Sequence, residues 1–174
     1  PDDLRAAIRA YFKAGLTVDV GCGSGRDAAW LAGEGFDVMG VDAAPGLLAE
    51  ARRRHPEVIF EVDALPALAR LGDNVFTNVL CETVIMHLEK PDAITAAQRL
   101  ASLLEPGGTL YLSWRVGGGA DRRDDDGRLY AAFASGAVRA NLAGLEVLLD
   151  EERVSTSSKK VIHRIVARRA NRRG

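Results

Sequence analysis

Apolar residues recur along this chain in two rhythms, helical spacing and short continuous blocks, and the two alternate. Leu4, Ile8, Tyr11 and Phe12 lie three and four apart and predict a helix from Asp2 to Lys13, with Asp2 and Asp3 placed to cap it and Gly15 to end it. Leu16 to Val20 then predicts a first strand. Ala28, Ala29, Leu31 and Ala32 restore helical spacing, and Gly33 and Gly35 suit that helix's C-terminus. Phe36 to Val41 predicts a second strand, Leu47 to His55 a helix entered through Pro45, and Val58 to Val62 a third strand. A Gly72-Asp73-Asn74 turn leads into a fourth strand, Val75 to Leu80. Ile94, Ala97, Leu100, Ala101 and Leu104 mark a helix over Pro91 to Leu104, which Glu105-Pro106-Gly107-Gly108 stops before a fifth strand, Thr109 to Trp114. Gly117 to Gly127 reads as a polar loop, and Leu129 to Leu142 as a helix. Leu145 to Leu149 and Lys160 to Ala167 read as the last two strands.

Composition narrows the class without naming a chemistry. With 174 residues, 47% apolar and 27% charged, the chain suits a single globular domain spanning residues 1–174. It opens at Pro1 without a methionine, which leaves open an incomplete N-terminal cap. A formal charge of −1 argues against a protein that neutralises nucleic-acid phosphates. No apolar run approaches a membrane span and no signal-peptide pattern opens the chain, so no membrane partner is expected. Two distant cysteines form no disulfide framework, which favours a reducing, cytoplasmic setting. The closing run Arg168 to Arg173 reads as a solvated, frayed end.

The chemistry concentrates in Val18-Asp19-Val20-Gly21-Cys22-Gly23-Ser24-Gly25-Arg26-Asp27. Strand, glycine turn and helix in succession are the sequence form of a nucleotide site in an open α/β sheet. Glycine lets the backbone turn tightly and approach a ligand, because no Cβ intervenes. A dinucleotide fingerprint needs glycine where Arg26 stands; the pattern here is G-x-G-x-G with an acid two residues upstream, Asp19. That variant resembles motif I of the class I S-adenosylmethionine-dependent methyltransferases, and Leu104-Glu105-Pro106-Gly107-Gly108-Thr109-Leu110 is a second match.

The resemblance implies a doubly wound, seven-stranded, mostly parallel sheet of order 3-2-1-4-5-7-6 with an antiparallel last strand, between two helical layers. It implies S-adenosylmethionine as methyl donor, with Gly21, Cys22 and Gly23 against it. Asp19 has the right sign for the donor's ammonium and Arg26 for its carboxylate. Asp42, about 20 residues after the first glycines, stands where a ribose-binding acid is needed, with Ala43 beside it. Asp63-Ala64-Leu65 matches the adenine-binding place. Cys81 follows the fourth strand as Cys22 follows the first, so both thiols are expected at the pocket; a plainer account is two small residues in tight positions. No metal is expected.

Cys81 to Leu88 resembles the region that often carries a histidine in small-molecule methyltransferases, here His87, the candidate general base, with Glu82 second. The proline clusters and Pro-Cys nucleophile of nucleobase methyltransferases are missing, so the acceptor is expected to be a small molecule. Trp114 and Arg115, with Tyr130 and Phe133, are placed to line its site; the plainer accounts are a core place for Trp114 and a solvated Arg115. Within the class the chain looks like the tellurite-resistance-type branch, acting as a monomer or homodimer. Two alternatives remain: a methyltransferase-fold binding protein without turnover, and an NAD-type domain, which Arg26 opposes.

Overall fold

The computed structural model describes residues 2–117 and 119–171. Its centre is β1 (Leu16–Val20), whose residues 17–20 are all buried. It pairs in parallel with β2 (Asp37–Asp42) on one side and β4 (Phe76–Glu82) on the other. β3 (Ile59–Val62) extends the first flank, and β5 (Leu104–Arg115), β9 (Val161–Arg169) and β8 (Leu145–Val154) extend the second. The order is β3-β2-β1-β4-β5-β9-β8, with β9 antiparallel to both neighbours. This is the expected order, renumbered because a small separate hairpin of β6 (Arg122–Arg123) and β7 (Leu129–Tyr130) intervenes.

Side chains of successive strand residues point to opposite faces, so each strand feeds two cores. Val79, Cys81, Leu110, Leu112, Ile165 and Ala167 join one cluster, covered by α4 (Lys90–Leu103) and α5 (Ser135–Ala140). Leu80, Tyr111 and Val166, one residue out of step, join the other, covered by α1 (Asp2–Tyr11), α2 (Arg26–Gly33) and α3 (Pro45–Arg54). Sheet and two helical layers make the three-layer arrangement. Asn78, wholly buried, ties the end of α1 to it: its Nδ2 donates to Lys13 O at 2.7 Å and Thr17 Oγ1 at 2.9 Å, and its Oδ1 accepts from Lys13 N at 3.1 Å. No helix among the described residues is long and apolar enough to cross a membrane.

The helix expected over Leu129 to Leu142 is instead the β7 strand followed by the short α5. Tertiary hydrogen bonds claim the backbone that the helix would need. Ala131 N donates to Met86 O at 2.8 Å, and Leu129 O accepts from the His87 ring at 2.8 Å. β5 begins five residues before the expected Thr109, and β8 runs past Leu149 to Val154. The basic terminus is anchored where it is described: Arg168 Nη2 donates to Tyr11 O at 3.0 Å and Arg169 Nη1 to Leu104 O at 2.6 Å. Arg172 and Arg173 lie outside the described residues.

Candidate functional site

The site forms at the carboxyl edge of β1, β2, β4 and β5, where the chain crosses from strand to helix. Gly21, Gly23 and Gly25 take φ of 75, 55 and 86°, a left-handed backbone that side chains resist. Gly21 is constrained twice, since a Cβ there would stand 2.4 Å from Val84 Cγ2. At Gly23 a Cβ would meet nothing within 4 Å, so the turn faces open space. Gly21 N and Cys22 N donate to Val41 O at 2.8 and 3.0 Å, which fixes the turn to β2.

Asp42 closes this corner. Its Oδ2 accepts from Gly23 N at 2.8 Å and its Oδ1 from Ala44 N at 2.9 Å, bridging the glycine turn to the start of α3. Each oxygen keeps lone pairs for a ligand hydroxyl. Asp42, Ala43, Asp63, Ala64 and Leu65 line one cleft of about 130 Å³, together with Gly21, Val84 and His87. The residues expected to hold a nucleoside are thus brought together. Asp63 differs in its duties: Oδ1 accepts from Ala64 N at 2.8 Å and Ala69 N at 3.2 Å, and Oδ2 from Arg70 N at 2.9 Å. It holds the 64–70 loop as a wall of the cleft.

A second cleft, of about 410 Å³, opens on the other side of the turn, against Cys22, Arg26, Asp27, Glu82 and Arg115. Beneath it lie carboxylates without enough partners. Asp19 is 4% exposed, and its Oδ2 and the Glu82 Oε2 are buried without a hydrogen bond among the described residues. Burial, reinforced by the Asp27 and Glu82 carboxylates, holds the Asp19 carboxyl well above the usual range. Burial and then Asp27 raise Glu82 to about 7. Buried acids with orphaned oxygens are costly as anions unless a cation meets them. A ligand ammonium fits that demand.

Three expected residues are placed differently. Arg26 lines the cleft, but its Nε and Nη2 are held by Asp27 at 3.0 and 2.9 Å, so a ligand carboxylate would have to compete with that pair. Cys81 is wholly buried in the apolar cluster beneath α4, because it points to the face opposite Leu80 and Glu82; it packs the core and does not line the clefts. Trp114 is 2% exposed, stacked on His163 at 4.7 Å and 5.6 Å from Phe133, also as core. Cys22 does line the larger cleft, its thiol pushed up by burial and the nearby Asp19 and Asp42.

His87 closes a 3-10 turn, Ile85–His87, and packs edge-on against Tyr130 at 4.9 Å. Its Nδ1 lies 2.8 Å from Leu129 O. A carbonyl only accepts, so Nδ1 carries the proton and Nε2 keeps a lone pair. Burial lowers its pKa, so the ring is neutral at neutral pH and able to take up a proton.

Ser155, Ser157, Ser158 and Ile162 also line the larger cleft. Sequence reasoning missed them, because their arrival depends on the register that sets Ile162 opposite Arg115, which strand order alone does not fix. A Ser-Thr-Ser-Ser run before the last strand signals a turn, not a site.

Known proteins resemble this chain in sequence and in fold. The profile of the family described as Methyltransferase domain matches residues 17–108. The ubiquinone biosynthesis O-methyltransferase of Xanthomonas campestris pv. campestris (strain B100) is 35% identical over 111 residues, covering 62% of this chain and 46% of that protein. The chain therefore spans under half the length of that curated relative. An S-adenosylmethionine dependent methyltransferase from Mesorhizobium loti superposes with a TM-score of 0.80 at 19% identity, covering 94% of this chain and 96% of that one. Magnesium protoporphyrin IX methyltransferase from Synechocystis PCC 6803, crystallised with S-adenosylmethionine, gives a TM-score of 0.76 at 24% identity, covering 97% and 77%. These relatives lend no support to the narrower likeness to the tellurite-resistance-type branch. Glycine turn, strand order and a profile match over more than half its length all place the chain in the methyltransferase domain family.

Proposed function

We propose that this chain binds S-adenosylmethionine and catalyses transfer of its methyl group to a small-molecule acceptor in a reducing, cytoplasmic setting. The observation that carries the reading is the set of acidic side chains around the glycine turn. Asp19, Asp27 and Glu82 gather there, two of them with orphaned buried oxygens. Burial holds Asp19 and Glu82 toward their protonated forms, and a cation meeting them favours their ionised forms, so the corner suits a donor with an ammonium and a sulfonium and offers no counter-charge to the pyrophosphate of a dinucleotide.

Asp42 is the ribose acceptor in this reading, Ala64 and Leu65 wall the adenine, and Asp19 with Glu82 meets the ammonium. When bound, the sulfonium supplies a methyl carbon already activated for attack. The chain's own task is then to hold the acceptor in line and keep water out, and positioning of this kind is worth on the order of 7–11 kcal/mol in favourable cases. Where the attacking atom carries a proton, His87 Nε2 accepts it, since the Leu129 carbonyl already fixes the proton on Nδ1.

Calorimetric titration with S-adenosylmethionine tests the assignment. Asp42→Ala is expected to raise the dissociation constant at least about tenfold, or about 1.4 kcal/mol. An unchanged constant in a folded variant would refute the role of Asp42.

A further inference from the structure

A third cleft, of about 390 Å³, lies beyond Arg115 from the glycine turn, and Arg115 and Tyr130, expected from the sequence at the acceptor site, both line it. Its lining includes three cations, Arg115, Arg122 and Lys160, and no acid; Val116, Ala131 and Val161 supply apolar wall. That is a local excess, since the whole chain carries a formal charge of −1. Neighbouring cations are neutralised: Arg123 lies 3.6 Å from Glu89 and Lys90 3.8 Å from Asp121. Arg115, Arg122 and Lys160, by contrast, form no ion pair among the described residues.

Tyr130 organises the group. The Arg115 and Arg122 guanidinium carbons lie 5.3 and 5.1 Å from its ring centroid, which holds two like charges near each other by cation–π attraction. The same ring packs on His87 at 4.9 Å. Arg115 also lines the cleft on the glycine turn. The cationic cleft is therefore continuous, through one arginine and one tyrosine, with the candidate base and the donor site.

We propose that this cleft receives the methyl acceptor, and that the acceptor is an anion, a carboxylate, sulfonate or phosphate carried on a compact apolar body. The proposal rests on the methyltransferase reading for the word acceptor, but not for the charge preference. The two sides of the site then carry opposite signs: acids beneath the glycine turn for a cationic donor, and bases beyond Arg115 for an anionic acceptor. Cations held without carboxylate partners beside apolar wall select ligands having both an anion and a hydrophobic surface.

The test uses a matched pair of fluorescent probes, anilinonaphthalene sulfonate and the uncharged N-phenylnaphthylamine, which share their rings and differ in the sulfonate. The anionic probe is expected to bind about tenfold more tightly than the neutral one. In the double variant Arg122→Ala with Lys160→Ala, both exposed positions, that preference is expected to disappear while affinity for the neutral probe stays. Equal binding of the two probes, or an anion preference that survives in the double variant, would overturn the proposal. S-adenosylmethionine titration of the same two proteins separates the readings. Loss of the probe preference with no donor binding in either protein supports the anion site and sinks the methyltransferase reading. Donor binding without any anion preference does the reverse.

Discussion

Glu82→Gln isolates the cost of holding an acid beneath the glycine turn. Glutamine keeps the shape and removes the charge from a side chain whose Oε2 is buried without a partner. Burial and Asp27 raise the carboxyl from the ordinary 4.5 to about 7. The folded protein thus binds more protons than the unfolded chain between those values, so stability falls as pH rises through that window. The gap corresponds to about 3 kcal/mol at most, because Glu82 retains some solvent contact. Asp19 is raised chiefly by burial, which both proteins share, and the smaller part that Glu82 adds acts in the same direction as the effect measured. Urea unfolding of both proteins at pH 5 and pH 8 reads the effect. The variant's stability relative to the parent is expected to rise by about 2–3 kcal/mol between the two conditions. An equal difference at both pH values would refute the reasoning, because it would mean that Glu82 titrates alike in folded and unfolded chains.

Donor binding is expected to release protons near pH 6.5, since an ammonium beside Asp19 and Glu82 favours their ionised forms. Calorimetry in buffers of different ionisation enthalpy measures that release, and Glu82→Gln is expected to diminish it. Asn78→Ala leaves the Lys13 backbone N–H and carbonyl without their partner beneath the end of α1. A loss of about 1–3 kcal/mol in stability is expected by denaturant titration, with donor affinity unchanged in the folded fraction.

The parts of the site legible in the sequence were those written locally. Gly21 to Gly25 and Asp42 lie within one strand–turn–helix unit and its successor, so residue type and spacing sufficed to foresee the turn and the acid beside it. Parity decides between pocket and core for Cys81 and Trp114, in favour of the plainer account of each. Both stand one residue before the end of a strand at the correct edge, yet each points into the cluster under α4, and which face a buried strand residue takes depends on the opposing layer. The segment from Leu129 was misread because its helical periodicity lost to hydrogen bonds with Met86 and His87, about 40 residues earlier. Ser155 and Lys160 reach the clefts through the register of β9 against β5, a pairing of distant segments that no local pattern encodes even where the strand order is foreseen. The basic residues 168 and 169 were expected to fray, but their guanidinium groups close carbonyls at Tyr11 and Leu104.

The central claim is that the glycine turn and its buried acids select a cationic methyl donor. Parallel calorimetric titration of the chain with S-adenosylmethionine, S-adenosylhomocysteine and NAD tests it most directly. Micromolar binding of the first two and none of NAD is expected, because only they bring an ammonium to Asp19 and Glu82. Binding of NAD with no binding of the other two would contradict it.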